Sequence, residues 1–153
     1  ARTVRRVLSE TGSTAHMSLK LAEALAAKVE ERAESLGMRV VTAIADEAGH
    51  PKLGRSMDGA YIGSLDVAVN KAYTSIAFQM STAALGELSQ PGAPLYGIQH
   101  TNGGRIVIFG GGEPLMVNGK IIGALGVSGG TAEQDTALAA YGASMLKEVI
   151  SCL

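Results

Sequence analysis

Between Gly110 and Thr131 the chain alternates glycine clusters with short apolar runs, and few folds can use such a segment. Gly110-Gly111-Gly112 leads into Glu113 to Val117, then Asn118-Gly119, Lys120 to Val127, and Ser128-Gly129-Gly130-Thr131. Asn-Gly accepts positive φ at both central positions of a type I′ turn, whose twist matches that of two paired strands. The flanking runs are therefore predicted to pair as an antiparallel hairpin. Thr131 with Gln134 forms a capping box, so a helix is predicted to start there, with Leu138, Tyr141, Met145 and Val149 as its buried stripe. Three glycines in apolar sequence point to a bulge, or to close approach by a ligand or a neighbouring chain. Upstream, Arg105 to Phe109 is β-branched and apolar and is expected to be a further buried strand.

The remaining elements follow from the same periodicities. Residues 1–17 read as a flexible N-terminal segment, in which Val4, Val7 and Leu8 would share a helical face among Arg2, Arg5 and Arg6. Residues 18–153 read as one domain. Ser18 is placed to cap a helix whose buried face is Ala22, Leu25, Ala26, Val29, Ala33 and Leu36, with Gly37 just past its end. Met38 to Asp46 is apolar on both alternating sets, as an interior strand is. Asp46 to His50 is a turn, and Lys52 to Met57 returns antiparallel. Ser64 is placed to cap a second helix with Leu65, Ala68, Val69, Ala72 and Ile76 on one face. A shorter helix covers Thr82 to Leu88, and an irregular stretch follows. Strands arrive in hairpin-joined runs rather than as βαβ repeats. The prediction is an α+β fold: an antiparallel five-stranded sheet flanked by helices.

Composition narrows the function classes. With 13 Lys+Arg against 14 Asp+Glu in 153 residues, no basic field exists to hold nucleic acid. No apolar run reaches the length of a membrane span, and no signal-peptide core is visible. One cysteine, Cys152, rules out an internal disulfide and a cysteine zinc cluster, and it fits a reducing, cytoplasmic setting. Only 18% of residues are charged while 46% are hydrophobic, a balance that points to apolar surface covered by a second subunit.

Four groups of residues could carry chemistry. Ser128-Gly129-Gly130-Thr131 opens a helix, where free N–H groups and the helix dipole favour an anion; an ordinary glycine turn is the competing explanation. Gly111 and Gly112 could let a ligand approach the backbone, or simply relieve a bend. His16, His50 and His100 have no metal-ligand spacing. His16 and His100 could nonetheless offer an axial imidazole to haem iron, and two copies of one histidine across a dimer could make a bis-histidine site. Asp46, Arg55, Asp58, Lys71 and Asp135 could converge for acid–base work, with Asp46, Lys71 and Asp135 as the catalytic candidates, or form structural pairs. No nucleophile elbow or Cys–His pair supports a hydrolase.

Several of these stretches together resemble a known family. Asp46-Glu47-Ala48-Gly49-His50 with Arg55-Ser56-Met57-Asp58-Gly59-Ala60, and Asn70-Lys71-Ala72-Tyr73-Thr74, are similar to segments of the GlcG/HbpS family of haem-associated proteins. Pro91 to Gly97, Thr101-Asn102, Ile108 to Pro114 and Gly123 to Asp135 resemble the branch found as the C-terminal domain of PduO-type corrinoid adenosyltransferases. The likeness spans about residues 18–148. It implies a profilin-like antiparallel sheet, assembly into dimers or octamers, and haem binding in some members through a histidine near the start of the domain, where His16 stands. It also implies work beside corrinoid enzymes of propanediol or glycerol use, some inside bacterial microcompartments. The adenosyltransferase domain is not part of this sequence, so ATP-dependent corrinoid chemistry is not carried over.

Three function classes follow. The first is a haem-binding accessory module, with a corrinoid as the second-ranked cofactor. The second is an enzyme acting on a small hydroxy or carbonyl compound. The third is an assembly subunit that docks to a corrinoid enzyme system or a microcompartment shell through its basic N-terminal segment.

Overall fold

The structure is a computed structural model that describes residues 15–153. The arginine-containing helical face at Val4, Val7 and Leu8 lies outside the described residues. In chain order the elements are α1 (Leu19–Ser35), β1 (Val41–Asp46), β2 (Pro51–Ser56), α2 (Ser64–Phe78), α3 (Thr82–Leu88), two 3₁₀ turns (Ile98–His100 and Asn102–Gly104), β3 (Gly112–Val117), β4 (Lys120–Ser128), α4 (Ala132–Ser144) and α5 (Leu146–Ser151). The strands form one antiparallel sheet in the order β2-β1-β4-β3. Among the described residues, no helix is long and apolar enough to cross a membrane.

The sheet has four strands rather than the expected five. Arg105 to Phe109 joins no ladder: Arg105 is a turn residue with φ -83° and ψ -11°, and Phe109 lies in a bend. The Val107 N–H donates to Thr74 Oγ1 of α2 at 3.0 Å. A backbone donor spent on a helix side chain is not available to a neighbouring strand. Composition is blind to that choice, because an apolar loop that packs partly against a helix and a buried strand call for the same residue types. Two smaller differences concern helix ends. Ser64 is the first residue of α2 rather than its cap, and Gly63 holds the cap position without a side-chain bond. The C-terminal helix is split at Met145 into α4 and α5.

Other local signals are realised. Ser18 Oγ accepts from Leu21 N at 3.1 Å, Gly37 takes φ +69° after α1, and Thr131 and Gln134 close their capping box. Asn118 and Gly119 have φ of 51° and 78° at the β3–β4 turn. Met17 precedes α1 yet is buried in the core, so the folded domain includes that residue of the N-terminal segment.

The sheet's two faces are packed differently. One face meets α1, α4 and α5 through large aliphatics, including Leu25, Val29, Ile44, Leu115, Leu125, Val127, Leu138 and Val149. The other meets α2 through Val41, Ala43 and Ala68, and through Ala45, Ala72 and Ala124. On that second face helix and sheet backbones nearly touch: a Cβ on Gly126 would run into the carbonyl oxygen of Ala68. This spacing admits only small side chains and turns α2 away from its most apolar stripe. Leu65 is left exposed and Val69 and Ile76 half-buried, while Ser64, Ala68, Lys71, Ala72 and Ser75 face inward. Gly126→Ala is accordingly expected to destabilise the domain by about 3 kcal/mol or more, through forced separation of α2 from the sheet. Urea unfolding measures this; a loss under about 1 kcal/mol would show that the two layers are not in backbone contact.

Candidate functional site

The inward turn of α2 buries a lysine. Lys71 is 0% exposed, a placement that is costly unless the ammonium is paired and hydrogen-bonded. Its Nζ donates to Val127 O of β4 at 2.7 Å and to Asp135 Oδ2 of α4 at 3.2 Å. The Phe109 ring centroid lies 5.2 Å from Nζ. Asp135 is 4% exposed, and its Oδ1 accepts from Gly130 N at 2.8 Å while Oδ2 also accepts from Gly129 N at 3.3 Å. Burial lowers the Lys71 pKa below the ordinary lysine value, and Asp135 opposes that shift through charge and hydrogen bond.

The glycines make this pair possible. A Cβ on Gly111 would lie 2.5 Å from Lys71 Nζ and 2.5 Å from Val127 O, and Gly111 itself has φ +125°, which side chains disfavour. A Cβ on Gly112 would lie 2.6 Å from Thr82 Cγ2 and 2.7 Å from Lys71 O. The groups crowding Gly111 and Gly112 come from α2, α3, β4 and α4 of this same chain rather than from a ligand or a neighbouring chain. The predicted anion cradle is likewise filled from within. Asp135 takes the N–H groups of Gly129 and Gly130, Gln134 Oε1 takes Thr131 N at 2.9 Å, and Gln134 N donates to Thr131 Oγ1.

Lys71 and Asp135 thus converge, but Asp46 is not with them. It ends β1 opposite Gly123, whereas Val127, the carbonyl bonded to Lys71, pairs with Thr42. Four residues of strand separate the two places, roughly 13 Å. Asp46 Oδ1 accepts from Ala48 N at 3.0 Å and His50 N at 2.9 Å, which closes the β1–β2 turn. Arg55 pairs with Glu30 at 2.6 Å, and Asp58 is exposed. His100 is exposed in the first 3₁₀ turn, and His16 is exposed just before Met17. Among the described residues, no three His, Cys, Asp or Glu side chains gather as a metal site. Sequence patterning did not single out Phe109 or the Val127 carbonyl as companions of Lys71. No local signal marks them, since each comes from a separate element.

His16 can be tested against the haem that the family resemblance implies. An exposed imidazole is a donor that haem iron accepts, and Leu19, three residues on, is 50% exposed. His50 and His100 are exposed as well; what His16 offers haem is the donor chemistry of its imidazole.

With this geometry in view, the comparisons with known proteins become specific. The family model described as haem degrading protein HbpS-like matches residues 17–144. This chain belongs to the HbpS-like family. A 15.0 kDa protein of the dhaT-dhaS intergenic region of Citrobacter freundii is 45% identical over 132 residues, 86% of this chain and 93% of the relative. The corrinoid adenosyltransferase PduO of Salmonella typhimurium is 41% identical over 109 residues, 71% of this chain but 32% of the relative. The chain thus spans about a third of that enzyme's length. The crystal structure of a PduOC:heme complex matches with TM-score 0.81 and 36% identity, over 85% of this chain and 94% of that one.

Two predictions test the site. Asp135→Ala leaves an ammonium buried without its counter-charge, and it is expected to cost about 3–5 kcal/mol in urea unfolding. Adding Lys71→Met should return part of that loss, and a strictly additive double variant would show the pair to be uncoupled. Glu113, beside the glycine run on β3, has its pKa raised by burial. A carboxyl with a raised folded-state pKa loses stability as pH climbs through that value, because the fold disfavours the anion. Glu113→Gln is therefore expected to raise the Tm at pH 7, with the difference from the parent vanishing once both forms are neutral near pH 3. A constant difference across that range would contradict the assignment.

Proposed function

We propose that this protein is a haem-binding accessory protein of propanediol- or glycerol-type metabolism, working as an oligomer in which His16 supplies an axial ligand. The observation that carries the proposal is the likeness, at 36% identity and TM-score 0.81, to a PduO C-terminal domain solved as a haem complex. Membership of a family described by haem degradation supports the same ligand. The exposed position of His16 at the start of the domain supports a site completed by a second copy, as a dimer or within an octamer. Corrinoid binding ranks second, because the link to corrinoids comes only through the PduO relatives. A cytoplasmic setting, inside a bacterial microcompartment, goes with this role.

The buried pair plays a structural part in this proposal. Lys71 and Asp135 satisfy each other and have no open route to a substrate, so acid–base turnover by Asp46, Lys71 and Asp135 gains no support from their placement. Haem, when bound, would supply the redox and ligand-binding chemistry; the chain's contribution would be the imidazole of His16, with the half-exposed Leu19 nearby in sequence.

Haem titration of the purified protein is expected to give a sharpened, red-shifted Soret band. His16→Ala should weaken uptake by tenfold or more, roughly the effect of losing a metal ligand, while His100→Ala leaves the spectrum unchanged. An unaltered Soret band in His16→Ala, or no uptake by the parent, would overturn the proposal.

A further inference from the structure

β2 is an outer strand of the sheet, and among the described residues no strand pairs with its far side. Its pairing with β1 fixes which backbone groups are left over. Opposed residues of an antiparallel ladder alternate between hydrogen-bonded and non-bonded pairs. Met57 N donates to Val40 O at 3.0 Å, so Thr42–Arg55 and Ile44–Leu53 are the bonded pairs, while Val41–Ser56 and Ala43–Gly54 are not. Gly54 and Ser56 therefore aim their N–H and C=O groups away from β1, and both residues are exposed. Pro51, Lys52 and the irregularity between Ile44 and Ala45 blunt only the start of this edge. Further along, the Arg55 guanidinium is held by Glu30 of α1 at 2.6 Å. The opposite outer strand, β3, has Pro114 in its middle, which has no N–H to offer.

The uncovered apolar stripe of α2 lies over this same edge. Ile62, one turn before the helix, is 98% exposed and Leu65 is 44% exposed, and Val69 is half-buried. A Cβ on Gly54 would lie 3.0 Å from Leu65 Cδ1 and 3.8 Å from Val69 Cγ2. An unpaired strand edge beside an aliphatic ridge marks a surface that a partner covers. We propose that β2 pairs antiparallel with β2 of a second copy, about a two-fold axis through Gly54, joining the two four-stranded sheets into one. The same patch serves both copies, as an isologous interface requires. Gly54 N–H donates to the Gly54 carbonyl of the second copy and accepts the reciprocal bond. In this register Lys52 stands opposite Ser56, and Leu53 opposite Arg55, so no two like charges are directly opposed. The Cα atoms of such a bonded pair are about 5.5 Å apart, so the two Leu65 side chains, each resting against its own Gly54, meet over the axis. The rotation of α2 that buries Lys71 thus delivers the aliphatic stripe to the dimer contact. The interface needs no ligand, so it stands apart from the haem reading.

The test uses the full chain without haem. Light scattering is expected to give the parent as a dimer or a multiple of dimers, and Leu65→Glu, with an unchanged far-UV spectrum, to halve the particle mass. In the parent, amide exchange at Gly54 is expected to be at least about tenfold slower than in Leu65→Glu, while Arg55 N–H, bonded to β1, is protected in both. In a Cys152→Ser background, which removes the exposed native thiol, Leu65→Cys should form a disulfide-linked dimer at least about tenfold faster than Leu88→Cys on α3, because the axis holds the two thiols at high effective concentration. A monomeric parent, an unchanged mass in Leu65→Glu, exchange at Gly54 as fast as in the variant, or equal linkage at positions 65 and 88 would overturn the proposal.

Discussion

The buried contact between Lys71 and Asp135 ties together more of the molecule than any other polar interaction described. It joins α2 to α4 across the end of β4, and it fixes the Gly129-Gly130 turn through the other carboxylate oxygen. A charge inside a protein is tolerated only when nearly all its hydrogen-bonding capacity is met. Each partner therefore constrains the next. The ammonium needs the Val127 carbonyl and the Asp135 carboxylate at one point, and Gly111 must lack a side chain for that point to exist. The glycine run is best understood as the space this contact requires.

The alanine and glycine face of the sheet has the same origin. α2 sits close enough for its backbone to approach that of β4, so large side chains cannot lie between them. Close packing of small residues removes fewer square ångströms of apolar surface from water than packing of leucines does. The bulk of the hydrophobic stabilisation is consequently on the opposite face, where α1, α4 and α5 cover Ile44, Leu125 and Val127. One side of the sheet supplies burial and the other supplies specificity of position. A protein arranged this way has little freedom to build a cleft over its central strands. His16, exposed before α1, stands at the periphery of this arrangement.

Membership of the HbpS-like family agrees with this division. The family model runs from residue 17 to residue 144, across both the glycine-rich strands and the Lys71 helix.

Much of the fold was legible in the sequence, and the legible parts share a cause. Caps, turns and hairpins depend on residues a few positions apart, as at Ser18, Gly37, Asn118-Gly119 and Thr131 with Gln134, so local physical chemistry determines them. Alternating and helical periodicities likewise located α1, β1, β4 and the start of α4. Tertiary structure alone decided the rest. It denied Arg105–Phe109 a place in the sheet by giving its N–H to Thr74. It rotated α2 so that a lysine faced inward, and it supplied the counter-charge from 64 residues away. It also separated Asp46 from that pair and turned the Gly129-Gly130 turn from an open anion cradle into one filled by Asp135. Sequence periodicity reports which residues can be buried together on one element. It carries no information on which distant group arrives to satisfy a buried charge, because that depends on the spacing between layers that only the assembled fold sets.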